Sequence, residues 1–185
     1  MAILKIARMG HPVLRRPSKA LAVPFAGVER QLAHDMIETM LDAPGVGLAA
    51  PQVHVDWRFI VFRVPGERIS GVGGDVEAPS QVLINPEIEP LTSEMELGWE
   101  GCLSVPGLRG QVPRYTRIGY RGFDLAGNKV EREVGGFHAR VVQHETDHLD
   151  GLLYIDRMRD LSLLTFTEEM KYFPADQAAR NTPPA

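Results

Sequence analysis

Apolar residues return every three or four positions between residues 28 and 41, at Leu32, Met36, Ile37, Met40 and Leu41, with Glu29, Arg30, His34, Asp35 and Glu38 on the other side. That period is helical, and Pro44 and Gly45 stop it. Residues 45–52 change the pattern. Their small side chains let a backbone pass close to another group and Pro51 limits regular continuation, so they read as a loop or irregular edge segment. Residues 57–64 are rich in β-branched and aromatic side chains and predict a buried strand; 65–80, rich in glycine with a proline near each end, predict a long exposed loop.

Further strands are predicted at 81–85, 94–104, 117–123 and 129–134, the last two joined by a turn at 125–128. Val141, Val142 and Leu149 fall among polar residues over 137–150, which predicts a partly buried helix ended by Gly151. Residues 152–155 read as a short strand, 161–172 are mixed, and the proline-bearing stretch 174–185 reads as a frayed, flexible tail. No repeat or interior linker divides the chain. The pattern predicts one α+β domain over residues 1–173, with mostly antiparallel sheets around a central metal-binding helix.

Composition narrows the function. With 185 residues, 44% hydrophobic and 24% charged, the chain has enough apolar material for a single core. A net charge of -4 argues against a direct nucleic-acid site, which needs clustered Lys and Arg. No apolar run reaches membrane-spanning length, and the first 14 residues are too broken by charge, glycine and proline for a secretory signal. A single cysteine cannot form an internal disulfide, so a reducing cytoplasmic location is expected, where its thiol stays free for metal.

The chemistry concentrates in Gln143-His144-Glu145-Thr146-Asp147-His148. Positions i and i+4 share a helix face, so His144 and His148 can hold one ion, with Glu145 near its open side. Cys102, in the segment Glu100-Gly101-Cys102-Leu103-Ser104, completes a three-ligand set. Three protein ligands leave a tetrahedral ion one position for water, the mark of a catalytic site. Glu145 then suits the general base and acid, while the Gln52 side chain and the Leu103 N–H are candidate oxyanion donors. His138, six residues before His144, falls on another helix face and reads as a solvent-facing or supporting residue.

Each segment alone has a plainer reading: a helix-ending loop, a small buried thiol, surface histidines. Their occurrence together in fixed order resembles peptide deformylases, whose signature segments G-x-G-x-A-A-x-Q, E-G-C-x-S and Q-H-E-x-D-H stand complete at 45–52, 100–104 and 143–148. The opening Gly10-His11-Pro12-Val13-Leu14-Arg15 also looks like the family's start, so the likeness spans roughly residues 5–160. It implies Cys102, His144 and His148 as metal ligands, Glu145 as acid/base, and Gln52 with the Leu103 amide at the oxyanion. It further implies substrate contacts from Val46 and Gly47 backbone and Arg109, an ion pair of Glu100 with Arg114 beside the pocket, and a methionine pocket including Val46, Val141 and Phe137.

The implied reaction is hydrolysis of the N-formyl group from formyl-methionyl nascent peptides, releasing formate. One divalent ion per chain is implied, Fe2+ first, with Zn2+, Ni2+ or Co2+ as substitutes. Many family members end in a basic helix thought to touch the ribosome; this chain's end lacks that composition, which weakens a transient ribosome contact by that route. Two rival readings are a general H-E-x-x-H endopeptidase taking Asp156 or Glu168 as third ligand, and a non-catalytic metal-binding module. The first leaves residues 100–104 without a role, and the second conflicts with the presence of both Glu145 and Gln52.

Overall fold

The computed structural model describes residues 2–25, 27–71 and 73–173. Two antiparallel sheets enclose one helix. The larger holds strands β1 (Gly47–Ala49), β2 (Phe59–Val64), β3 (Ala78–Pro90), β6 (Arg117–Phe123) and β7 (Lys129–Gly135), in the spatial order β1-β2-β3-β6-β7. The smaller holds β4 (Met95–Cys102), β5 (Val105–Tyr115) and β8 (Leu164–Phe166), in the order β4-β5-β8. Helix α1 (Gly27–Asp42) covers one face of the larger sheet, and α2 (Gly136–Leu149) packs against its other face.

β2 shows why its sequence is a nearly unbroken apolar run. Successive side chains alternate faces: Phe59 and Val61 pack with Ala33, Met36 and Met40 of α1, while Ile60, Phe62 and Val64 pack with Ala139, Val142 and Leu149 of α2. With both faces covered, polar alternation has no place. β3 turns from β2 to β6 through a register shift between Ile84 and Glu87, where Asn85 takes a left-handed conformation (φ 51°) and Pro86 follows. The Asn85 amide donates to Leu21 O at 2.8 Å and accepts from Leu21 N at 2.9 Å, fixing the bulge.

Several expectations need correction. α2 is not partly buried: 11 of its 14 residues are buried, because sheets flank it and side chains from other elements pair with His144 and Asp147. His138 is fully buried rather than solvent-facing, its Nδ1 3.0 Å from Val76 O and its Nε2 3.4 Å from the Tyr120 hydroxyl. Burial lowers its pKa, which keeps the ring neutral. The stretch 65–80 is not simply an exposed loop: Asp75 is buried, and β3 begins at Ala78.

Asp75 also explains how α2 starts. Its carboxylate accepts from the N–H groups of Phe137 and His138, each at 3.0 Å, and from Ser70 N and Oγ at 2.6 and 2.7 Å. It caps a helix 62 residues away in sequence. At the other end Gly151 terminates α2 as predicted, with φ 77° and a Cβ position 2.9 Å from the Arg15 carbonyl carbon, so a side chain there meets backbone.

Residues 152–155 form no strand. A short helix, α3 (Tyr154–Arg157), stands there, its first turn held by the Asp156 carboxylate accepting from Leu153 N at 2.7 Å. The predicted edge segment at 45–52 becomes β1 and a 3-10 turn at Ala50–Val53. The expected tail, 174–185, lies outside the described residues. Among the described residues no helix is long and apolar enough to cross a membrane.

Candidate metal centre

β4 delivers a sulfur and α2 two imidazoles to one point. Cys102 Sγ lies 3.3 Å from His148 Nε2, and one ligand atom each from Cys102, His144 and His148 falls within 4.8 Å of the others. Among the described residues this is the buried one of two such groups; the other, His34 with Asp35 and Glu38, lies on the solvent side of α1. One thiolate and two imidazoles suit a divalent transition ion. The His144 Nδ1 is already engaged, 2.8 Å from Glu100 Oε2, so its Nε2 is the atom free to coordinate.

Glu100 is itself clamped. Arg114 donates to both of its oxygens, at 2.9 and 3.0 Å, and Arg140 donates to Oε1 at 2.9 Å. The expected Glu100–Arg114 pair is therefore present, and it lies behind His144. Arg114 also bonds Asp147 at 2.5 Å, and Asp147 takes a second guanidinium, from Arg157, at 2.7 Å. Burial pushes the Glu100 carboxyl up, but Arg114 and His144 more than offset it and hold it well below the usual carboxylate range. Paired this way, each buried charge is tolerable, whereas losing one partner strands the other.

The reactive groups respond to the same surroundings. Burial raises the Cys102 thiol, yet the facing His148 and His144 rings outweigh it, and the group sits far below its ordinary value as a thiolate. Burial also dominates at Glu145, opposed by both histidines, and pushes its carboxyl up to about 7. Its Oε2 is buried with no partner among the described residues. A carboxyl poised near neutrality is what a proton carrier requires.

The 45–52 segment closes over this carboxyl. A Cβ at Gly47 would overlap the Glu145 side chain, so glycine there lets β1 pass without displacing that carboxyl. Gln52 is almost fully buried; its carbonyl accepts from Ala49 N at 2.8 Å, which aims Nε2 at Ser104 Oγ (3.1 Å) and Cys102 Sγ (3.5 Å). Among the described residues β1 is the edge strand of its sheet, with β2 on one side only.

A cleft of about 420 Å³ opens on these groups. Its lining includes every substrate residue implied by the family likeness, namely Val46, Gly47, Glu100, Arg109, Phe137 and Val141, together with Leu103 and Gln52. Asp156, a rival ligand, is instead engaged with Leu153 N and Arg15. Arg140 and Arg68 of the cleft lining do not stand out in the sequence. Arg140 is four residues before His144, so it shares the helical face that identifies the ligands.

Residues 3–163 match the family model described as polypeptide deformylase. Peptide deformylase 1 of Bordetella pertussis is 53% identical over 163 residues, covering 88% of this chain and 92% of that protein. Peptide deformylase 2 of Ralstonia nicotianae is 48% identical over 179 residues, 97% of this chain and 99% of that one. Among solved structures, a Met-Ala-Ser-bound class I type b peptide deformylase from Acinetobacter baumannii superposes with TM-score 0.77 at 40% identity, covering 85% of this chain and 99% of that chain. A peptide deformylase from Ehrlichia chaffeensis gives 0.80 at 33% identity, covering 87% and 90%.

Proposed function

The chain belongs to the polypeptide deformylase family, and on that premise we propose that it hydrolyses the N-formyl group of formyl-methionyl nascent peptides, releasing formate and a free amino terminus. The observation that carries this reading is the convergence of Cys102, His144 and His148 beside the buried Glu145 carboxyl. A divalent cation held by the three ligands supplies Lewis acidity, bringing water's pKa towards neutrality and polarising a carbonyl oxygen.

Glu145 takes the proton from the attacking water and passes it to the departing amine as the formyl C–N bond breaks. The Gln52 Nε2–H and the Leu103 N–H donate to the oxyanion that develops on the formyl carbonyl; a single such donor is worth roughly 3 to 4 kcal/mol. Glu100 holds His144 in the tautomer that leaves Nε2 to coordinate, and Arg114 and Arg140 keep Glu100 charged in that role. The unpaired edge of β1 receives the peptide as an added strand through Val46 and Gly47 backbone. Val141 and Phe137, facing the cleft with Val46, form the methionine pocket.

We assign Fe2+ as the native ion, with Zn2+, Ni2+ or Co2+ able to substitute; imidazole and thiolate serve all of them. A reducing compartment suits the free Cys102 ligand. The deciding experiment is formate release from a formyl-Met peptide by anaerobically prepared protein, with the acetyl-Met peptide as control. Formyl-only turnover is expected. Equal cleavage of both, or of unformylated peptides after Cys102→Ala, would favour a general endopeptidase.

A further inference from the structure

Among the described residues three arginines line the cleft, and they differ in how they are committed. Arg140 is spent on Glu100 Oε1 and on the carbonyls of Glu96, Gly98 and Val112. Arg68 and Arg109 have no carboxylate within ion-pairing distance among the described residues, and neither side chain makes a hydrogen bond there. They come from different elements: Arg68 from the 3-10 turn Gly66–Arg68 that follows β2, and Arg109 from β5.

Both are positioned rather than free to wander. The turn carrying Arg68 belongs to the segment that Asp75 ties to the first turn of α2, and Ile69 beside it packs on the core. The Arg68 guanidinium lies 4.2 Å from the Phe137 ring centroid, a cation–π arrangement that sets it at the wall of the cleft. Arg109 lies flat over Gly101, where a Cβ would stand 2.9 Å from its Nε, and its backbone is paired with Thr165 of β8. Partial burial lowers the Arg68 pKa, and the Arg109 charge adds to that, so the two cations sense each other. Glu67 is the acidic neighbour of Arg68 and pulls the other way.

Two uncompensated like charges at one cleft repel, and an anion between them relieves the repulsion while gaining charge-assisted hydrogen bonds. We propose that Arg68 and Arg109 form a subsite for a carboxylate side chain carried by the second or third residue of the substrate peptide. The proposal rests on the deformylase reading of the same cleft. The turn Gly66–Arg68 then presents one half of the subsite.

The experiment compares kcat/KM for C-terminally amidated formyl-Met peptides bearing Glu, Gln or Lys at position two or three, at low and at high salt. Amidation removes the terminal carboxylate, so only the side chain differs. Glu is expected about fivefold above Gln at one of the positions, as exposed ion pairs are worth up to about 1 kcal/mol each. Lys is expected below Gln. The difference should lie in KM and shrink with salt as the Debye length falls. Arg68→Gln should lower the Glu/Gln ratio at least twofold, and the double variant Arg68→Gln, Arg109→Gln should bring it to one. A wild-type ratio of one at both positions, or a ratio that survives Arg68→Gln, overturns the subsite. Efficient formyl-Met turnover without acidic preference overturns the subsite alone, whereas absence of turnover on every formyl peptide overturns the parent reading with it. Arg68 sits on an exposed turn, so its single variant keeps the test valid even if replacing Arg109 impairs folding.

Discussion

Gly47→Ala isolates the position of one carboxyl. The new methyl would occupy space held by the Glu145 side chain, whose Cγ lies 2.7 Å from the ideal Cβ. No backbone atom is among the nearest obstacles, and the obstacle is the far part of a rotatable side chain, so Glu145 yields rather than the fold. Its two neighbours at the metal site, His144 and His148, need not move. The consequence is a protein that folds and holds its ion but has its proton carrier displaced. Placed proton transfer contributes about 10²- to 10⁴-fold, so kcat should fall by about two orders of magnitude, equivalent to roughly 2.7 kcal/mol in the barrier. The assay is formate release under saturating formyl-Met peptide, with metal content per chain and thermal unfolding measured on the same sample. Wild-type kcat in a folded, metal-loaded Gly47→Ala protein would refute the inferred role of the close approach. Loss of metal would instead show that the strand supports the ligands.

Other outcomes follow from the charge network. Arg114→Leu leaves Glu100 and Asp147 short of a buried countercharge and should cost about 3 to 5 kcal/mol in denaturant unfolding; a cost under about 1 kcal/mol would mean the remaining arginines suffice. Asp75→Asn puts an amide NH2 where an oxygen accepts from the N–H groups at the start of α2 and should weaken it by about 1 kcal/mol. The folded Asp75 carboxyl lies below its unfolded value: burial raises it, but the hydrogen bonds from Ser70, His138 and Phe137 outweigh that. Its contribution is therefore complete above the unfolded pKa of about 4 and disappears as pH falls through the folded value. The stability gap between wild type and Asp75→Asn should accordingly narrow below about pH 4, and a gap that widens there would reverse the assignment. Glu145→Ala should retain the ion and lose at least about 10² in turnover.

What can be read from the chain alone is whatever depends on short-range periodicity. α1, β2 and α2 follow from apolar spacing, and the i, i+4 histidines follow from the same helix rule. β5 escapes that reading because Pro106, Gly107, Gly110 and Pro113 interrupt its alternation, although it lines the cleft and pairs with both β4 and β8. Leu152 to Ile155 reads as strand because local apolar content cannot register the Asp156 side chain closing a helical turn. The capping of α2 by Asp75 and the clamping of Glu100 by Arg140 join residues 62 and 40 positions apart, distances over which no local pattern reports. His138 misleads for the same reason: its face is defined by Val76 and Tyr120, which reach it only in the folded chain.

The coordination itself is open to direct measurement by X-ray absorption at the zinc edge of protein loaded with one zinc per chain. One sulfur at about 2.3 Å and two imidazole nitrogens at about 2.0 to 2.1 Å are expected, with the sulfur contribution gone in Cys102→Ser. A first shell of nitrogen and oxygen alone in the wild-type protein would contradict the joining of β4 and α2 at a single ion.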